Sequence, residues 1–231
     1  NTMCGRFTFY ITNQELQQWY QLLNNPTIDE RYNIAPLQTI PVITQQQAIR
    51  QLQMMRWGLI PAWAKDESIA NNLINARAET IAEKPSFRQS LKKRRCIIPI
   101  SGFYEWKKNG KLKQPMYIAN PQQQHLPLAG LWDQWTNHNG LLIKTCTLIT
   151  VPPNEQMNPI HNRMPAILSK DHINVWLDEN ADIQHVLQLL QPYPNPLHIY
   201  PVSTQVNSAA FDSPELIEPA DSSNEPLELF D

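Results

Sequence analysis

Cys4, Asn75, Glu105 and His161 are four polar residues of this 231-residue chain whose settings suggest chemistry. Cys4 follows Met3. If Met3 initiates the natural chain, its removal makes Cys4 a 1,2-aminothiol, with two nucleophiles on adjacent carbons. The amine attacks an aldehyde to give an imine, and the thiol closes on that imine as a five-membered thiazolidine. An α-amino pKa near 7.7 leaves roughly a sixth of the amine neutral at pH 7. The plain alternative is a small buried hydrophobe near a chain end. Glu105 lies in Ser101-Gly102-Phe103-Tyr104-Glu105-Trp106. A carboxylate among aromatics loses hydration, so its pKa rises toward that of a useful proton donor or acceptor. Its alternative is a strand-end glutamate paired with a hairpin lysine. His161 sits in Pro159-Ile160-His161-Asn162-Arg163-Met164-Pro165, where flanking prolines suggest a rigid loop and imidazole exchanges protons near neutrality. A structural histidine is the competing reading. Asn75 heads Asn75-Ala76-Arg77-Ala78-Glu79-Thr80. Its amide suits orienting a reacting group or a sugar, and Arg77 suits a phosphate; a turn asparagine beside a surface ion pair is the alternative. Taken singly, none of the four decides a function.

The elements that must position these residues follow from periodicity. Thr12 and Glu15 have capping-box spacing, and Leu16, Trp19, Tyr20 and Leu23 form one apolar face, so a helix is expected over Asn13–Leu23. A second follows Pro85, carries Phe87 and Leu91, and ends in Lys92-Lys93-Arg94-Arg95, cations that complement a helix C-terminus. Asp171–Leu177 and Ala181–Leu190 read as later helices. Strands are expected at Ile40–Thr44, Met54–Ile60, Cys96–Trp106, Met116–Ala119, Leu126–Trp132, Leu141–Thr150 and His198–Ser203. Asn109-Gly110 marks a hairpin after Trp106. The fold class is α+β: one domain with a large, mostly antiparallel, curled or barrel-like sheet and peripheral helices.

Composition narrows the function. A hydrophobic fraction of 42% with 17% charged residues fits a globular protein. No run of about 18 apolar residues occurs, and the N-terminus lacks a charged then apolar leader, so no membrane association or secretion is expected. Six glycines without a phosphate-loop or dinucleotide fingerprint argue against a nucleotide enzyme. Cys4, Cys96 and Cys146 are widely spaced, with no C-x-x-C pair, which disfavours a disulfide framework or zinc site and points inside the cell. The net charge of −2 is unevenly spread. Residues 212–231 hold seven acids and no Lys or Arg, which leaves 19 basic against 14 acidic residues, or +5, for residues 1–211. The domain is therefore expected over 3–211, with an acidic tail at 212–231 packing back through Leu227, Leu229 and Phe230.

Met3-Cys4-Gly5-Arg6-Phe7, Arg31-Tyr32-Asn33-Ile34-Ala35-Pro36, Arg56-Trp57-Gly58-Leu59-Ile60-Pro61, Asn75 through Thr80, Ser101 through Trp106, Gly130-Leu131-Trp132 and His161 through Pro165 occur in this order. Together they resemble the SRAP (SOS response-associated peptidase) family of abasic-site processing proteins, from Met3 to about Pro219. The resemblance implies that the mature N-terminal cysteine, here Cys4, bonds the ring-opened aldehyde of an abasic site in single-stranded DNA as a thiazolidine cross-link. It assigns Asn75 to orienting the sugar or the amine, Glu105 to shuttling protons, and His161 to deoxyribose ring opening or reversal of the link. Arg6, Arg77 and Arg163 are implied phosphate contacts, Trp63 a stacking or wedge residue, and Met164 a residue under the lesion. No cofactor and no metal are implied. The expected partner is abasic single-stranded DNA, met by a monomer in the cytoplasm and on the nucleoid when bound. AP-lyase chemistry is a further expectation. Asn1-Thr2-Met3 precede Cys4 here, so Cys4 has an amide in place of the amine the ring needs. Two other readings are a cysteine peptidase acting on its own N-terminal extension through Cys4 and His161, and a non-covalent single-stranded-DNA binding module.

Overall fold

A computed structural model describes residues 4–122 and 125–220, and its elements follow from the patterns above. Helix α1 (Asn13–Tyr20) begins at the Thr12–Glu15 capping box, in which the Glu15 N–H donates to Thr12 Oγ1 and the Thr12 N–H donates to Glu15 Oε2 at 2.8 Å. It stops before Leu23 because Gln21 turns left-handed at φ 52°, and Leu23 is exposed. After β1 (Phe7–Phe9) and α1 come β2 (Arg31–Ile34), β3 (Thr39–Gln46), β4 (Ile49–Trp57), β5 (Asn75–Arg77) and α2 (Arg88–Lys93). Then follow β6 (Arg95–Ile100), β7 (Gly102–Asn109), β8 (Leu112–Ala119), β9 (Leu126–Thr136), β10 (Leu142–Val151), β11 (Met164–Pro165), α3 (Lys170–Leu177), α4 (Ile183–Gln188) and β12 (His198–Pro201).

Five strands close into a barrel-like ring, β10-β4-β3-β6-β9, with β9 returning to β10. All neighbours in it are antiparallel except β4 and β10. Closure removes free edges within the ring, and its two faces are both apolar: Ile43, Ile97 and Leu131 share one face, Leu128 and Leu148 the other, and all five belong to the main core. The second sheet, β12-β8-β7-β1-β2, is antiparallel throughout. Phe7 of β1 packs on Trp57 of β4 with ring centroids 5.0 Å apart, which ties the two sheets together.

One expectation is corrected here. Cys96–Trp106 is not a single strand: β6 belongs to the ring and β7 to the second sheet, and the chain changes sheet at Ser101, whose N–H donates to Thr8 O at 2.8 Å. Gly102 makes the crossing possible, because a Cβ there would lie 2.3 Å from Tyr117 Oη. β4 ends earlier than expected, at Trp57. Gly58 leaves it at φ +134°, with its N–H on Cys146 O at 2.8 Å, so the next stretch of β10 is free to pair with β5.

Residues 204–220 wrap the far face of the second sheet. Tyr104, Tyr117, Val202, Val206 and Leu216 form a separate apolar cluster there. Asp212 Oδ1 accepts from the Tyr32 and Asn33 N–H groups, its Oδ2 accepts from Arg31 Nε at 2.6 Å, and Val202 bridges to Pro219. Leu227, Leu229 and Phe230 lie outside the described residues. Among the described residues no helix is long and apolar enough to cross a membrane.

Candidate active site

The site forms where β7, β5 and the loop after β10 meet. Phe103 packs into the main core and Tyr104 into the second cluster, so the alternation of β7 sends Glu105 to the core side with Phe103. Glu105 is 3% exposed. Its Oε1 accepts a 2.6 Å hydrogen bond from the backbone N–H of Cys4. Burial raises the Glu105 pKa to about 7, against the opposing pull of the Cys4 and Trp106 N–H groups. Cys4 is 2% exposed and turns at φ 42°. Burial first, and the nearby Glu105 second, hold its thiol well above its ordinary pKa. The sulfur is therefore a neutral thiol at rest, and the atom aimed at the carboxyl is nitrogen.

Asn75 does not sit in a turn. It opens β5, which pairs in parallel with β10 through Leu148↔Asn75 and Thr150↔Arg77. Asn75 and Arg77 project to one side of this strand. Asn75 is half-buried and Arg77 exposed.

His161 stands on the 152–163 loop between β10 and β11. Asn154 Oδ1 accepts from the Met157 N–H at 2.9 Å, Asn154 Nδ2 donates to Tyr193 O at 2.9 Å, and the His161 N–H donates to Met157 O at 2.9 Å. Gln156 exchanges two hydrogen bonds with the Leu197 backbone. These bonds hold the loop more firmly than its prolines alone. His161 Nδ1 accepts from the Arg163 N–H at 3.2 Å, so in the neutral ring the proton resides on Nε2. Partial burial lowers the His161 pKa and favours that neutral form.

A cleft of about 890 Å³ joins these parts; Arg77, Glu105, Trp106, Lys108, His161 and Asn162 are among the residues that line it. Asn75 and Cys4 do not line it: Asn75 lies two residues before Arg77, and Cys4 lies behind Glu105. Sequence reasoning did not single out Trp106, whose indole N–H donates to Asn207 Oδ1 at 2.7 Å, or Lys108. Trp106 directly follows Glu105 and Lys108 lies two positions further on, which is the signal the sequence offers.

The other residues expected at DNA are placed differently. Arg163 is buried; both terminal nitrogens of its guanidinium grip the Glu79 carboxylate, and Nη2 also donates to Thr150 O at 2.6 Å. That fork ties the His161 loop to the segment after β5 and holds the Glu79 pKa below its ordinary value. Arg6 is half-buried and Nη1 donates to Asn33 Oδ1 and Val206 O, both at 2.7 Å. Met164 is fully buried, with its sulfur accepting from the Asn154 N–H. Trp63 is 59% exposed, but it lines a separate groove of about 240 Å³ with Lys93 and Arg94. The three cysteines are free and buried.

Residues 3–209 match the family model described as SOS response associated peptidase (SRAP). The chain belongs to the SRAP family. Among its relatives is the abasic site processing protein YoqW of Bacillus subtilis (strain 168), 45% identical over 222 residues that cover 94% of this chain and 99% of the relative. The abasic site processing protein HMCES of Gallus gallus is 34% identical over 221 residues, covering 81% of this chain and 66% of the relative. A protein of known crystal structure from Bacteroides thetaiotaomicron superposes with a TM-score of 0.85 at 28% identity, covering 94% of this chain and all of that one. SRAP membership thus joins the shared motifs to a fold seen experimentally in a neighbour.

Proposed function

We propose that this protein processes abasic sites in single-stranded DNA by forming a covalent thiazolidine through Cys4 once Cys4 is the first residue. The carrying observation is the 2.6 Å contact between the Cys4 nitrogen and the buried Glu105 carboxyl. In the mature chain that nitrogen is the α-amine. Its attack on the C1′ aldehyde of the opened sugar gives a carbinolamine, and loss of water gives the imine. The Cys4 sulfur then adds to the imine carbon while the thiol proton passes to nitrogen, closing the ring with one water released overall. Burial raises the Glu105 pKa and a neighbouring ammonium lowers it, so the carboxyl suits both proton steps, as acceptor from the ammonium and as donor to the departing hydroxyl.

Neutral His161, with its proton on Nε2, assists sugar ring opening from the cleft wall, and Asn75 orients the amine or sugar. Arg77 meets a phosphate. Arg163 acts differently from a phosphate ligand: it fixes the His161 loop through Glu79. Relatives named abasic site processing proteins, 45% and 34% identical, support the reading. The protein acts as a single copy, in the cytoplasm and on the nucleoid when DNA-bound.

Protein beginning at Cys4, incubated with an abasic oligonucleotide, is expected to give an adduct that survives a denaturing gel. Cys4→Ala abolishes it, and Glu105→Gln slows it by about 10²–10⁴-fold. Absence of adduct from the processed wild type overturns the proposal.

The same contact favours a second reading. The Cys4 nitrogen is also the leaving nitrogen of the Met3–Cys4 peptide bond, so Glu105 is placed to protonate it during hydrolysis of an N-terminal extension. Intact mass of an extended chain followed over time tests this: loss of the extension in wild type and its retention in Glu105→Gln support self-processing.

A further inference from the structure

Beyond Glu105, the β7–β8 hairpin leaves the body carrying Lys107, Lys108, Lys111 and Lys113 around the turn at Gly110-Lys111. All four lysines are exposed. Lys108 and Lys113 face each other directly across the strand pair, and both line the active-site cleft. Like charges at one register position repel in an isolated hairpin. No Asp or Glu occurs in the sequence between Glu105 and Asp133, and Lys108 concentrates positive potential at the cleft mouth. Lys107, Lys108 and Lys111 form no ion pair with a carboxylate among the described residues. The hairpin continues the strand that holds Glu105. Asn109 lies four positions beyond Glu105, about 14 Å of extended chain. Trp106, anchored on Asn207, stands between the carboxyl and the lysines and adds an aromatic wall. Basic groups following an aromatic platform are what a single-stranded nucleic acid backbone requires.

We infer that the β7–β8 hairpin is a phosphate-tracking arm that holds the single strand on one side of the lesion only, while Arg77 across the cleft holds the other side. The arm makes binding directional: the strand polarity that lays its longer flank along Lys108 and on to Lys111 at the turn is preferred. This inference rests on the proposed abasic-site reading and adds the path of the strand to it.

The test uses protein beginning at Cys4 and oligonucleotides carrying a tetrahydrofuran abasic analogue, which cannot form the adduct, with the flank on the 5′ side only or on the 3′ side only. Wild type is expected to bind one of the two more tightly. Lys108→Gln/Lys111→Gln removes that preference and leaves the weaker binder nearly unchanged. For single strands each lost phosphate contact lowers the salt slope by about 0.7, so two lower it by about 1.4. The variant's affinity then falls about 7-fold less than that of wild type between 50 and 200 mM salt. The matching double Lys→Arg variant restores both preference and slope, which a role confined to folding would not require. Unchanged slope and preference in the Gln variant, or an equal loss on both flanks, overturn the inference. A parallel reaction of wild type with a true abasic oligonucleotide separates the two claims: failure there condemns the cross-linking reading, whereas success with an unaltered Gln variant condemns only the arm.

Discussion

Arg95 and Glu105 are both ionisable and almost fully buried, yet they sit in opposite circumstances. Arg95 begins β6 and is surrounded by acceptors: Nε donates to Trp176 O at 2.7 Å, Nη1 to Leu91 O at 2.6 Å and Lys92 O at 3.3 Å, and Nη2 to Asp178 O. Those carbonyls belong to the C-terminal ends of α2 and α3, groups that a helix leaves unsatisfied. Burial lowers its pKa too, but a guanidinium keeps its charge, which these fixed dipoles match, and it stitches two helices to the barrel. Glu105 has N–H partners from Cys4 and Trp106, yet burial still outweighs them and raises its pKa. A buried charge whose surroundings complete its hydrogen bonding is architecture. A buried acid left close to neutrality is held ready to exchange a proton.

The contrast can be broken from either side. The largest stability effect is expected at Arg95→Ala, which strands several buried carbonyls and should cost about 3–5 kcal/mol in chemical denaturation, at all pH values between 5 and 9. Glu105→Gln should behave in the opposite manner. Because the folded pKa lies near 7 against an ordinary 4.5, wild type holds its proton more tightly when folded. It therefore loses stability as pH rises from about 4.5 through 7. The loss is about 3 kcal/mol, and Glu105→Gln should not show it. A wild type whose stability matches that of Glu105→Gln from pH 5 to pH 9 would contradict the raised pKa. The smallest effect is expected at Arg163→Lys, where one ammonium replaces a two-pronged fork on Glu79. A loss of about 1–2 kcal/mol is expected, together with slower adduct formation through the loosened His161 loop; an unchanged rate would detach Arg163 from that role.

Periodicity located the four α-helices of the described residues to within a few residues and most of the barrel strands, because each carries an amphipathic or continuous apolar pattern. It did not show where β6 becomes β7. Every residue from Arg95 to Glu105 is buried, so the pattern does not change when the chain changes sheet. β1, β2 and β5 span three or four residues each, too few for a period, and they form through pairing with distant strands. At the site, residue type alone drew attention to Cys4, Asn75, Glu105 and His161. The partners that give several of these residues their character were hidden by separation along the chain. Cys4 meets Glu105 across 101 positions and Arg163 meets Glu79 across 84. The sequence motif around Arg163 does not distinguish an arginine facing DNA from one buried in a fork; only the carboxylate beside it does.

The ties between Arg6, Asn33 and the 206–212 segment have a consequence for the order in which the chain becomes rigid. Arg6 donates to Val206 O, and Asn33 Nδ2 donates to Ser208 O and Phe211 O, so the β1–β2 platform beside Cys4 is completed by residues 175 to 200 positions further along the chain. Neither segment is held until the other is in place, so the two stretches become rigid as one unit, and loosening either one loosens the strand that leads from Cys4.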